Sequence, residues 1–244
     1  MVQIISWNDT KELILSDYRR IKGSGGLITF VRKLFLDPSF SVTFWLRLGN
    51  YFFMRKSLFS RLSLIIIKIN LLINQRLTCI QIPIGTQVTG WLRFFHYSCI
   101  VVAQSVIIGK NCSIHQGVSI GRVFAGKKKG VPVIGDNVVI FPGAKIIGNI
   151  KIGNNVVVGA NAVVVDDVSD NCVVAGVPAK VVSKDSSKCF DDNWNKVFCY
   201  WLILFMKVLI LTYSVTRTAG GVFDAVRDLF VNSAFKKHQL KIFS

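Results

Sequence analysis

Residues 134–164 read IGDNVVIFPGAKIIGNIKIGNNVVVGANAVV, and every sixth residue is aliphatic: Ile134, Ile140, Ile146, Ile152, Val158 and Val164. Gly135, Gly153 and Gly159 follow three of them directly, and Val138, Ala144, Val156 and Ala162 take the fourth place after. A period of six fits neither a helix nor an alternating strand over this length, so it is a repeat. Six residues make one flat face, three faces make one coil, and the aliphatic residue fills the interior at each turn. Coils of this kind stack at strand spacing, about 4.8 Å. The stretch therefore predicts a triangular parallel β-helix.

The register carries upstream. Counting back from Ile120 gives Ile114, Ile108, Val102, His96, Gly90 and Ile84. A histidine thus stands where the pattern asks for an aliphatic residue. Between Ile120 and Ile134 the step is fourteen residues, so a loop interrupts the ladder. Its residues 121–130 are rich in glycine and carry Arg122, Lys127, Lys128 and Lys129, and the loop must project from the prism. A sequence that breaks its own local rule marks a place where function is expected.

The chain has 244 residues with 51% hydrophobic content, enough for a sizeable core and one to three domains. We read three: helices over 1–80, the β-helix over 81–185 and a helical extension over 186–244. The formal charge is +17, which suits anionic lipid, phosphorylated ligands or nucleic acid. No helix-turn-helix pattern or zinc-finger spacing accompanies the charge, so nucleic acid is not an expected partner. The six cysteines form no C-x-x-C pair, and reduced thiols in a cytosolic protein are expected. The N-terminus lacks the order of a signal peptide. Metal binding is not expected either: the two histidines of the repeat, His96 and His115, stand nineteen apart, and a three-histidine site would need the distant His238.

Upstream of the repeat, Asp9 and Glu12 read as a helix cap with its reciprocal partner. Residues 23–26, Gly-Ser-Gly-Gly, break that helix. Further helices are expected over Leu27–Leu36, Phe40–Phe53 and Leu62–Leu72, the last interrupted by Lys68 and Asn70 and too short without interruption to span a bilayer. Basic residues among large apolar ones leave two readings open: a packed bundle, or a surface lying on an anionic cytoplasmic membrane. Downstream, helices are expected over 197–213 and 221–235.

The hexads, the segment Phe95-His96-Tyr97-Ser98-Cys99-Ile100-Val101-Val102, the segment Ser113 to Gly121, and the ending Ala175-Gly176-Val177-Pro178-Ala179-Lys180 resemble the serine-acetyltransferase-like branch of hexapeptide-repeat acyltransferases. The resemblance is closer still to the O-acetyltransferases of bacterial capsule and exopolysaccharide synthesis, whose N-terminal helices the segment Asp37-Pro38-Ser39-Phe40 and the run Arg47 to Asn50 resemble. The resemblance implies an α+β fold, a left-handed parallel β-helix with N-terminal and C-terminal helices. It implies homotrimers, or a higher multiple of three, with sites between subunits and acetyl-CoA as donor. It makes His96 the general base, with His115 as runner-up, and places Gly121, Arg122, Pro142, Gly143 and Ala160 along the pantetheine arm and Lys180 near the phosphate end. Lys127 suits a phosphate as a point charge.

Three departures bear on the acceptor. Family aspartates fall at Gln81 and Phe95, and a family histidine falls at Val131. Trp91, Phe94, Phe95 and Tyr97 are expected around His96 instead, and aromatic faces suit a sugar ring. Trp91, Phe95, Tyr97 and Gln116 are the expected acceptor contacts. The expected function is acetyl transfer from acetyl-CoA to a sugar hydroxyl of a bacterial surface polysaccharide, in the cytoplasm or on the inner face of its membrane. The alternatives are a serine O-acetyltransferase and a non-catalytic trimeric scaffold.

Overall fold

The computed structural model describes residues 6–21, 26–55 and 57–187. The chain divides into two compact units, Met1–Phe190 and Asp191–Ser244. The helices expected at 197–213 and 221–235 lie outside the described residues, as does His238.

Four helices open the chain. Helix α1 (Trp7–Arg20) begins at Ser6, whose hydroxyl accepts from the Asp9 amide at 3.1 Å while the Asp9 carboxylate accepts from the Ser6 amide at 3.0 Å. The cap therefore lies three residues before the expected Asp9–Glu12 pair, because Ser6 and Asp9 already have the reciprocal spacing. Helix α2 covers Leu27–Leu36. Helix α3 (Pro38–Phe53) starts on Asp37, which accepts from the Phe40 amide at 3.1 Å. Helix α4 (Leu58–Thr78) starts on Ser57 and ends at Cys79 in the left-handed conformation. It is 21 residues long, and by length and composition alone it could cross a membrane, unlike the shorter Leu62–Leu72 run expected. Asn70 does not interrupt it, because its amide donates back to the Ile66 carbonyl at 2.9 Å.

Fifteen short strands then wind into three sheets. The first holds β1 (Ile80–Gln81), β4 (Ile100–Val102), β7 (Ser119–Gly121), β10 (Lys145–Ile147) and β13 (Val163–Val164). The second holds β2 (Gln87–Val88), β5 (Ile107–Ile108), β8 (Val133–Ile134) and β11 (Lys151–Ile152). The third holds β3 (Arg93–Phe95), β6 (Ser113–His115), β9 (Val139–Ile140), β12 (Val157–Val158), β14 (Val173–Ala175) and β15 (Lys180–Ser183). All pairings between these strands are parallel except β14–β15, where the chain turns back across the last coil. This is the expected left-handed parallel β-helix entered from N-terminal helices. Its interior is the hexad ladder itself, from Ile108 to Val164, with each step almost wholly buried.

The small-residue places of the ladder have a steric cause. A Cβ on Gly135 would stand 2.7 Å from the Gly153 carbonyl oxygen, one coil on. At another edge Asn111, Asn137, Asn155 and Asn171 sit in the left-handed conformation and pass amide hydrogen bonds from one to the next at 2.8–2.9 Å.

The first coil departs from the ladder. Ile80 pairs with Ile100, twenty positions on, whereas Val101 pairs with Ser119, eighteen on. The edge after β3 therefore holds two extra residues. The inward residues before it are Ile82, Val88 and Phe94, all buried. The expectation that His96 fills an inward place is thus corrected: a strict count of six lands on it only because the extra pair shifts the register. His96 lies in the widened edge, exposed, with φ +49°.

The same coil ends the β-helix and would leave backbone groups unpaired. Side chains of α1 and α3 satisfy them. Asp17 accepts from the Leu92 amide at 2.9 Å, Ser16 from Trp91 at 3.1 Å and Ser39 from Phe94 at 2.9 Å. Arg47 donates to the Val88 and Thr89 carbonyls and to Asp17, and Asn50 bonds Gly85 and Thr86.

Candidate active site

The edge between the third and first sheets collects most of the residues singled out from the sequence. Each coil crosses it by a turn, and the turns stack through backbone hydrogen bonds: Gly117 to Ser98 at 2.8 Å, Gly143 to Gln116 at 2.9 Å and Asn161 to Pro142 at 2.9 Å. Above them Val163 donates to Gly176 and Ala179 donates to Val163. His96, Tyr97, Gln116, Pro142, Gly143, Ala160 and Lys180 therefore rise along one edge in that order. Gly143 takes φ +75° and Gly117 φ +70°, and a Cβ on Gly143 would collide with the Asn161 side chain at 2.0 Å, so the tight turns need glycine.

At the foot of this edge two histidines meet. His115 ends β6, with its ring centroid 6.4 Å from that of His96. Its ring is packed between Phe95 at 4.9 Å and Phe141 at 5.2 Å. Its Nδ1 lies 3.0 Å from the Ile140 carbonyl. A carbonyl only accepts, so Nδ1 carries the proton and Nε2 keeps its lone pair. Burial pushes the His115 pKa down to about 4; the Ile140 carbonyl opposes this, and the charges of His96 and Arg93 reinforce it. Arg93 lies over the Phe95 ring at 4.2 Å and supplies the cation of this corner.

The other expected residues lie elsewhere. Gly121, Arg122 and Lys127 belong to the edge between the first and second sheets. There Arg122 donates to the Gln104 carbonyl at 3.1 Å. The loop they open folds into a small hairpin, with Val123 and Gly130 exchanging backbone bonds at 2.9 and 3.0 Å. Its projection is limited: Lys128 pairs with Asp166 at 3.2 Å, and its carbonyl accepts from the Asn149 amide at 2.9 Å. Trp91 stands at the third edge, where it lines a groove of about 950 Å³ between α1 and the second sheet. Phe94 points into the core.

The expected aromatic ring around His96 is thus not assembled. Trp91 is at another edge, Phe94 is internal and the two faces of Phe95 meet His115 and Arg93. Tyr97 alone of the four remains exposed beside His96. The shielding of His115 was missed from sequence, because its outward direction follows from Ile114 but the two covering phenylalanines come from neighbouring coils. Cys112 offers no nucleophile: it is fully buried, and burial pushes its thiol up to about 12.

Residues 132–166 match the family described as bacterial transferase hexapeptide (six repeats). The chain is 37% identical over 124 residues to a serine acetyltransferase of Staphylococcus aureus, which covers 50% of this chain. It spans 58% of the length of that relative. Among solved structures, the Neisseria gonorrhoeae serine acetyltransferase in complex with serine superposes with a TM-score of 0.59 at 26% identity, over 73% of this chain and 71% of that one. Soybean serine acetyltransferase superposes at 0.58 with 26% identity, over 72% and 69%. These likenesses overturn the expected polysaccharide acceptor and favour the serine alternative. The dispersal of the four aromatic residues removes the physical ground for a sugar ring. Sequence and fold together show a hexapeptide-repeat β-helix similar to that of serine acetyltransferases.

Proposed function

We propose that this chain is an acetyl-CoA-dependent serine O-acetyltransferase, with His96 as the general base. The observation that carries the reading is the meeting of His96 with one continuous stacked edge, in a fold similar to a serine-bound serine acetyltransferase. From His96 to Lys180 the edge climbs four coils, roughly 19 Å at strand spacing. That is the scale of an extended pantetheine arm. Pro142, Gly143 and Ala160 offer small turns for the arm, and Lys180 a cation at the far end. Phe95, Tyr97 and Gln116 line the corner beside His96 where serine would sit.

The chemistry needs a base for the hydroxyl proton and donors for the thioester oxyanion. His96 takes the proton as the serine oxygen attacks the thioester carbon. The C–S bond then breaks, and the proton passes to the leaving thiolate. His115 is the weaker candidate base, because a pKa near 4 leaves it little affinity for a proton at neutral pH. Turn amides such as that of Gly117 would face the oxyanion. The assembly is a homotrimer or a multiple of it.

The test is thiol release from acetyl-CoA with and without serine. His96→Ala is expected to lower kcat by about 10²- to 10⁴-fold while the chain still binds CoA by calorimetry. Full activity in that variant would remove His96 from the role. A chain that neither binds CoA nor turns over would leave the scaffold reading standing.

A further inference from the structure

We propose that the outer face of α4 is a peripheral docking surface for an anionic lipid bilayer, with α2 as a second contact. This inference is independent of the acceptor. Helix α4 buries one narrow side, marked by Ser60, Ile67 and Thr78. The opposite side is apolar from Leu58 to Leu72: Leu58, Leu62, Ile65, Ile69 and Leu72 are each 51–74% exposed. These five fall at alternating steps of four and three, a single stripe on a helix of 3.6 residues per turn. Arg61 and Lys68 run along one flank, seven apart and also exposed. Helix α2 buries none of its residues, and its Ile28 is 87% exposed. Such an apolar extent on one face calls for a partner.

Charge decides which partner. From Leu27 to Thr78 the chain carries eight basic residues and a single acid, Asp37. Two copies of α4 laid against each other would bring basic flank to basic flank with no carboxylate on either helix. An anionic headgroup layer instead takes both features: the stripe enters the acyl boundary, and the long Arg61 and Lys68 side chains reach the phosphates. Crossing the bilayer is a poorer fit. Arg61, Lys68, Asn70, Asn74 and Arg76 would be drawn through hydrocarbon. The α3 helix would follow, and Arg47 and Asn50 tie α3 to the first coil. The helix therefore lies on the surface.

The test is flotation of the full chain with vesicles of phosphatidylcholine and phosphatidylglycerol at 3:1, against pure phosphatidylcholine. Partition to the anionic vesicles, weakening as salt rises, is expected. Lys68→Glu should lower that partition by at least about ten-fold, and Leu62→Glu with Ile69→Glu by on the order of a hundred-fold. Unchanged thermal midpoints would show that the variants fold, since all three positions are exposed. Protein that stays behind in low salt overturns the proposal. So does binding that survives the double substitution, because another segment then holds the lipid. Loss of a higher oligomer in the double variant without loss of vesicle binding also overturns it, and assigns the face to a second copy.

Discussion

His115 is a neutral imidazole held in one tautomer, and its surroundings carry a pH signature that can be measured. Its folded pKa of about 4 lies below the value near 6.5 of an unfolded chain. Between those two values the unfolded chain binds a proton that the folded chain refuses. Stability is therefore complete above about 6.5 and is lost as pH falls towards 4. The contribution is on the order of 3 kcal/mol. The charges facing the ring are those of His96 and Arg93, and both oppose its protonation. Urea midpoints at pH 7 and pH 4.5 provide the check. The wild type is expected to lose more stability across that interval than His115→Phe, whose ring keeps the stack with Phe95 and Phe141. Equal losses in the two proteins would place the acid sensitivity elsewhere.

At the scale of elements, the open end of the β-helix is closed by side chains rather than by another coil. Asp17 is the centre of that closure: it is buried, takes the Arg47 guanidinium at 2.9 Å and holds the Leu92 amide. Burial pushes its carboxyl up, against the pull of Arg47. Asp17→Asn leaves Arg47 as a buried charge without its partner and is expected to cost about 3–5 kcal/mol in urea unfolding. Ser39→Ala, which removes one neutral bond to Phe94, should cost about 1 kcal/mol. Comparable losses for the two would mean that the ion pair is not what holds helix to coil. This closure was illegible in the sequence, because Asp17 and Leu92 are 75 residues apart and no period links them. The ladder from Val102 to Val164 was legible, since each inward place is filled by a residue that nothing else explains. The register failed at one point, between Phe94 and Val102, where two added residues widen an edge. Ile82, Val88 and Phe94 keep the step of six among themselves, and that second series was the signal for the shift. His96 was legible as an anomaly, but the reason was an edge rather than an inward place. Helix α4 was read too short because Lys68 and Asn70 look like interruptions on paper. On the helix one flanks an apolar stripe and the other bonds its own backbone.

At the scale of the whole molecule, one prism cannot bring all the proposed donor contacts together. His96, Pro142, Gly143, Ala160 and Lys180 share one edge, while Gly121, Arg122 and Lys127 share another, with the width of the first sheet between them. A single donor molecule reaches both groups if the loop edge of one chain faces the histidine edge of the next. Three-fold closure is the symmetric way to repeat that contact. The arrangement makes a quantitative prediction for mixed assemblies. Take His96→Ala chains and chains inactivated by Arg122→Ala with Lys127→Ala, and co-refold them in equal amounts. A shared site is intact where a loop-variant chain supplies His96 and its His96→Ala neighbour supplies the loop. With random assembly about one quarter of sites meet that condition. Activity should therefore return to about a quarter of the wild-type level, although each variant alone is inactive. If histidine and loop act within one chain, no mixed site is intact and no activity returns. The outcome then rests on which edges face each other, the property that the hexad ladder fixes when it sets the order of turns along the prism.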